Sequence, residues 1–238
     1  MSGHSKWATI HRKKGLIDAE RGKVFQKLAK EIMVAAKGTN GDIDTNASLR
    51  AVVEKARGQN MPKDNIMNAI KKAVGGGEGA NFESIRYEGY APNGIAIMVD
   101  CLTDNRNRSA MLVRSTLTKR GGNLGTDGSV SYMFKRRGVL VIEDGDFDKI
   151  MDIAIMNDAL DVTEEDGFVT VITDPADFIK VKEALEAEGI LEFADSQVTY
   201  IADNLIELDD EKTEKVMSLI ESLEDIDDVQ DVYHNLKI

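Results

Sequence analysis

The stretch VLVIEDGDFDKIMDIAIMNDALDVTEEDGFVTVITDPADFIKVKEALEAEGILEFADSQVTYI, residues 139–201, decides the fold. Val139 to Ile142 is apolar and β-branched, and reads as a strand. Phe147 to Met156 repeats its apolar residues at helical spacing, with Asp146 as the cap. Asp161 to Thr163 and Phe168 to Ile172 read as strands around a turn at Glu164 to Gly167. Pro175 to Glu188 reads as a second helix and Phe193 to Ile201 as a last strand. The order βαββαβ is the ferredoxin-like pattern.

Both flanks of this unit carry pieces of another one. Upstream, Ser84 to Tyr90 alternates like a strand, Pro92-Asn93-Gly94 turns the chain, and Ile95 to Leu102 is an apolar strand. Arg106 to Arg120 reads as a helix with caps offered by Thr103, Asp104 and Asn105. The glycine-rich GGNLGTDGS, residues 121–129, leads into a predicted strand from Val130 to Phe134. Downstream come a helix from about Asp209 to Leu223 and a strand from Val229 to Tyr233. Together these pieces make a second αβ sandwich, interrupted by the first.

Ahead of both, three helices are predicted after a polar arm. In the first, Ala19 to Lys37, Val24, Phe25, Leu28, Ala29, Ile32, Met33 and Ala36 share one face and Lys23, Lys27, Lys30 and Lys37 the other. Gly38 ends it. The second spans Asn46 to Arg57. The third begins near Pro62, which suits a first helical position, and GGG at 75–77 ends it. The expected fold class is therefore α+β with three domains. Residues 1–80 form a basic arm and helical domain. Residues 81–134 and 203–238 form one ferredoxin-like α/β domain. Residues 135–202 form another, inserted into it.

Charge is unevenly spread. Residues 1–80 hold 15 Lys/Arg and 8 Asp/Glu, residues 81–137 hold 9 and 5, and residues 138–238 hold 6 and 29, within a formal net charge of −12. Such asymmetry points to a polyanion surface at one end and a repelling or protein-facing surface at the other. The lone Cys101 excludes an internal disulfide and a cysteine metal cluster. No apolar run reaches the roughly 20 residues of a membrane helix. No secretory h-region is read at the N-terminus, so the expected location is cytoplasmic.

Motifs for catalysis or cofactors are absent from this reading. His4 and His11 lie seven apart without a third metal ligand. DGDFD at 144–148 begins like a calcium loop, but the sixth and twelfth positions hold Lys149 and Ile155 where Gly and Glu are required. Neither glycine cluster has the strand–glycine–helix order of a phosphate loop. No catalytic residue, metal or cofactor is assigned.

Two stretches remain. GHSKWATIHRKK, residues 3–14, holds the only tryptophan and four basic residues without an acid. Lys6, His11, Arg12, Lys13 and Lys14, continued by Lys23, Lys27 and Lys30, suit phosphate contacts. Trp7 suits stacking on a base, or an apolar anchor for the arm. In TDNRNRSA, residues 103–110, Arg106 and Arg108 sit where a helix begins. Helix N-termini bind anions, and arginines there run against the usual dipole preference.

GHSKWATIHRKK, GKVFQKLAKEI, MPKDNIMNAIKKA, YEGYAPNGIAIMVDCLTDNRNRS and GGNLGTDGSVSYMF together resemble the YebC family of small three-domain proteins, densest over residues 3–134. The resemblance implies a cytoplasmic bacterial protein labelled a probable transcriptional regulator, with promoter-DNA binding in some members. It also implies kinship with mitochondrial translational activators and with bacterial factors that relieve ribosome stalling. No catalytic residues come with it.

Three functions compete: a regulator on duplex DNA, a translation factor on ribosomal RNA or tRNA, and a protein-interaction module working through the acidic third. The helix after GQNM is not rich in base-reading Arg, Asn and Gln, which weakens sequence-specific duplex reading. A basic arm on a compact body suits shape- and phosphate-led RNA binding.

Overall fold

The computed structural model describes residues 18–75 and 82–237. Lys6, Trp7, His11, Arg12, Lys13 and Lys14 lie outside the described residues. The described chain forms two compact units, residues 18–129 with 216–232 and residues 130–215 with 233–237.

The first unit opens with three helices, α1 (Asp18–Ala36), α2 (Ala47–Gly58) and α3 (Lys63–Val74). Each falls within about a residue of its predicted bounds. Pro62 is the cap of α3, one position before its first turn. The apolar stripes meet in one core of Leu28, Ile32, Ala36, Leu49, Val53, Ala56, Ile66 and Ile70. Asn46 fastens the α1–α2 connection twice. Its Oδ1 caps α2 by accepting from Leu49 N at 3.0 Å, and its Nδ2 donates to Ala35 O at 2.8 Å. Between them Gly41, at φ 74°, lies so close to Ile70 and Val74 that a Cβ would sit 2.8 Å from each.

A four-stranded sheet follows, built from β1 (Glu83–Tyr90), β2 (Ala96–Thr103), β3 (Asn123–Leu124) and β8 (Val229–His234) in the order β3-β1-β2-β8. The hairpin β1–β2 pairs Glu83 with Thr103 through Tyr90 with Ala96. Helix α4 (Arg106–Lys119) crosses from β2 to β3. Asn105 caps it by accepting from Arg108 N at 3.1 Å. The glycine-rich loop contains β3, which pairs with Gly89 and Tyr90 of β1. Two glycines permit this. A Cβ on Gly89 would collide with Asn123 O, and one on Gly122 would sit 2.6 Å from Tyr90 O.

The second unit carries β4 (Phe134–Glu143), α5 (Phe147–Met156), β5 (Ala159–Glu165), β6 (Phe168–Thr173), α6 (Phe178–Ala187) and β7 (Asp195–Ala202). Its sheet order, β5-β6-β4-β7, with every neighbouring pair antiparallel, is the ferredoxin-like arrangement. Asp146 caps α5 as predicted, accepting from Lys149 N at 3.1 Å. Leu140, Ile142, Ile150, Val169, Val171, Val181 and Leu185 fill the core between sheet and helices. The predicted strand Val130–Phe134 is instead a short helical turn at Ser131–Met133, and β4 starts at Phe134. All strands of this sheet lie in the chain between β3 and β8. Helix α7 (Asp210–Glu224) precedes β8 and buries Val216, Leu219, Ile220 and Leu223.

The chain is thus α+β with two antiparallel sheets. The finer division into three domains, which splits the first unit between α3 and β1, is our proposal.

Candidate nucleic-acid interface

Along α1, Lys23, Lys27 and Lys30 recur at i, i+4 and i+7, so they share a face, as the spacing predicted. That face is not open. It meets the acidic segment 224–228, which joins α7 to β8. Lys23 Nζ donates to Asp225 Oδ1 at 2.8 Å, Lys27 Nζ to Glu224 O at 2.9 Å and Lys30 Nζ to Asp227 O at 2.7 Å. Lys30 Nζ also lies 3.8 Å from Asp228 Oδ1. Lys23, Gln26, Lys27, Lys30, Glu224, Asp225 and Asp227 line a shallow depression. Burial lowers the pKa of Lys27, and the nearby charges of Glu224, Asp231 and Asp225 oppose that shift.

Asp228 gathers partners from three elements. Its carboxylate accepts from Arg108 Nε at 3.0 Å, from Arg108 Nη2 at 2.8 Å and from Ser109 Oγ at 2.8 Å. Its carbonyl accepts from Leu102 N of β2 at 2.8 Å. Burial pushes the carboxyl pKa up, but the hydrogen bonds from Ser109 and Arg108 outweigh it and hold the group below the usual range. Arg108 also reaches Asp104 Oδ1 at 2.8 Å. The guanidinium at the start of α4 therefore answers carboxylates of its own chain. Arg106, two residues earlier, is exposed, and its carbonyl accepts from Tyr87 OH at 3.2 Å.

The helix after GQNM, read from the sequence as poor in base-reading side chains, nevertheless presents two asparagines on its outward face. The apolar side of α3 buries Ile66, Ala69 and Ile70. The opposite side exposes Asp64, Asn65, Asn68, Lys71 and Lys72. Arg57 and Lys63 are exposed on either side of the turn before it. Asn46, Asn105 and Asn157 are held by caps or carbonyls. Asn65 and Asn68 are directed to solvent instead, with two lysines in the same helix. Two asparagines and two lysines thus leave amide and ammonium groups on the solvent side of this helix. The available signal was the helix's own periodicity, which places both asparagines off the apolar stripe.

Other chemistries find little support among the described residues. No group of three or more His, Cys, Asp or Glu is placed to hold a metal ion. No helix is long and apolar enough to cross a membrane.

Comparison with known proteins agrees with this architecture. A profile described as the TACO1/YebC protein N-terminal domain matches residues 5–76, and one described as the TACO1/YebC second and third domain matches residues 82–236. The chain belongs to the TACO1/YebC family. Among its relatives, a probable transcriptional regulatory protein of Geobacter sulfurreducens is 52% identical over 100% of this chain and 96% of its own length. Another, from Francisella tularensis, is 53% identical over 99% and 95%. The crystal structure of a conserved hypothetical protein from Aquifex aeolicus superposes with a TM-score of 0.82 at 40% identity, covering 94% of this chain and 93% of that one. The TACO1/YebC match takes in α1 to α3 and both sheets, so every surface described above lies inside the family's matched regions.

Proposed function

We propose that the protein is a cytoplasmic regulator of transcription that binds DNA and acts by occupancy, not by catalysis. The observation that carries this reading is the solvent face of α3, where Asn65 and Asn68 stand beside Lys71 and Lys72. Asparagine suits bidentate contact with adenine in the major groove, and lysine suits phosphate. The acid-free cluster Lys6, Arg12, Lys13 and Lys14 adds cations to the same end of the sequence, with Trp7 and His11 among them. The names of the curated relatives favour transcription. The strongly acidic residues 138–238 would be repelled by bulk nucleic acid, so contact is one-sided and the acidic surface is left for a protein partner.

Crosslinking in cells, followed by sequencing of bound DNA and RNA, tests the assignment. Promoter enrichment is expected. Enrichment of ribosomal RNA or tRNA over promoters would overturn it in favour of a translation factor. On the enriched DNA, Asn68→Ala is expected to relax base preference by about 1–3 kcal/mol per contacted position. Lys71→Ala with Lys72→Ala is expected to weaken all sequences alike and to lower the salt slope by about two.

A further inference from the structure

We propose that the segment 224–228 is an internal phosphate mimic that occupies the lysine face of α1 and gives way to nucleic acid. This rests on the nucleic-acid reading above and adds a mode of regulation to it.

The argument starts from the acceptors. Lys27 and Lys30 donate to the backbone carbonyls of Glu224 and Asp227, and Lys23 to the carboxylate of Asp225. Two of the three ammonium groups thus hydrogen-bond to carbonyl oxygens, while the carboxylates of Glu224, Asp225 and Asp228 supply negative charge close by. A phosphodiester oxygen carries a full negative charge that a carbonyl lacks, so it adds direct Coulomb attraction to the ammonium–oxygen hydrogen bond. Lysines at i, i+4 and i+7 form a row along one helix face, and a nucleic-acid backbone offers a row of anions. The internal segment prevails only because its attachment keeps its local concentration high.

The segment is anchored at both ends, and its contacts with the lysines lie between the anchors. Asp228 anchors one end through Arg108, Ser109 and Leu102 N. The buried Leu223 anchors the other at the end of α7. Between them Glu224, Asp225 and Asp227 are exposed. The Lys23–Asp225 pair has side chains 54% and 70% exposed, where an ion pair contributes little. Releasing these contacts leaves the Asp228 anchor intact.

The test uses the full chain and two labelled probes, a duplex DNA and a single-stranded RNA, each of about 20 nucleotides per strand. Combined Glu224→Gln, Asp225→Asn and Asp227→Asn removes the three exposed charges of the segment and leaves the buried Asp228 in place. Binding at low salt is expected to tighten on the order of tenfold, with a salt slope steeper by one to about three counterions. The same triple change in a Lys23→Gln, Lys27→Gln, Lys30→Gln background is expected to give no gain. Glu164→Gln, Glu165→Gln and Asp166→Asn, an equal charge change on the β5–β6 hairpin, is expected to give at most a small gain. If the hairpin variant tightens binding as much, or the gain persists without the lysines, the mimic is overturned. If wild type binds with a clear salt slope and the neutralised segment changes nothing, the mimic falls while the nucleic-acid reading stands. If no variant binds either probe at low salt, both fall.

Discussion

Arg108 and Asp228, 120 residues apart in the chain, meet in a two-pronged ion pair, Nη2 to Oδ1 at 2.8 Å and Nε to Oδ2 at 3.0 Å. The carboxylate is almost wholly buried and the guanidinium 42% exposed. The pair brings the start of β8 to the N-terminus of α4, where helix N–H groups favour a negative charge. With Lys30 3.8 Å away, the same carboxylate also faces α1. One aspartate thus joins the three-helix segment to the sheet.

Removing that charge is expected to be costly. Asp228→Asn leaves a buried position facing two cations with half its acceptors gone, and about 2–3 kcal/mol of stability should be lost. Asp225→Asn breaks the exposed pair with Lys23 and removes one of several charges near Lys27, and should cost less than about 1 kcal/mol. Urea titration of the two variants beside wild type checks the contrast. Equal midpoints would refute the role given to Asp228.

The same group sets an acid limit. Its folded-state pKa is depressed, by Ser109 and Arg108 against the opposing effect of burial. The linked stability is therefore fully present above the ordinary aspartate value, about 3.9, and is lost as pH falls through the lower folded value. Glu31 works in the opposite sense, because burial raises its pKa against the Lys55 ion pair at 3.0 Å. Stability linked to Glu31 is present below the ordinary glutamate value and is lost as pH rises through the raised one. Acid unfolding of wild type and Asp228→Asn should differ most near neutral pH and converge only at pH values below the ordinary aspartate range. Curves that stay parallel to low pH would count against the depressed carboxyl.

Much of this fold was legible because its helices are long and amphipathic. The stripes of α1, α2 and α3 marked both their bounds and their core residues, and the βαββαβ order of residues 139–201 yielded the second sheet. β3 was not legible, since two residues, Asn123 and Leu124, are too few to show a period. The candidate site was legible only in part. Periodicity placed Lys23, Lys27 and Lys30 on one face correctly, but what meets that face comes from about 200 residues downstream. Arg108 was singled out for its odd position at a helix start. The cause is Asp228, which no local pattern connects to it. Periodicity placed Asn65 and Asn68 off the apolar stripe of α3, but a small polar residue there does not by itself distinguish a binding face from a merely solvated one.

Cys101 should be silent to reagents. It is 2% exposed, and burial, with the charges of Asp228 and Asp100, pushes its thiol up to about 12. Only the thiolate reacts. At pH 8 the native protein should label with a thiol reagent orders of magnitude more slowly than in urea, at a rate that follows unfolding. Fast labelling of the native protein would mean that the β2 core opens readily.

The glycine-rich loop offers a test of why its glycines differ. Gly125 N donates to Glu88 O at 2.8 Å and Gly128 N to Glu88 Oε1 at 2.9 Å, so the loop is folded back onto β1. A Cβ on Gly125 would lie 2.5 Å from Ser129 Oγ, the end of a short side chain that can rotate away, with Ser129 Cβ at 3.2 Å and Glu88 O at 3.4 Å as looser contacts. A Cβ on Gly122 would lie 2.6 Å from Tyr90 O, 3.3 Å from Ala91 Cα and 3.4 Å from Leu117 O, all backbone. Nothing there yields without moving β1 or the end of α4. Gly122→Ala should therefore cost about 2–3 kcal/mol and disturb β3, while Gly125→Ala should cost about 1 kcal/mol or less. Hydrogen exchange at Gly125 N, whose acceptor is Glu88 O, gives a local readout. Faster exchange in Gly122→Ala than in Gly125→Ala is expected, and the reverse order would show that the crowding around Gly122 is relieved by a path other than the one its backbone neighbours allow.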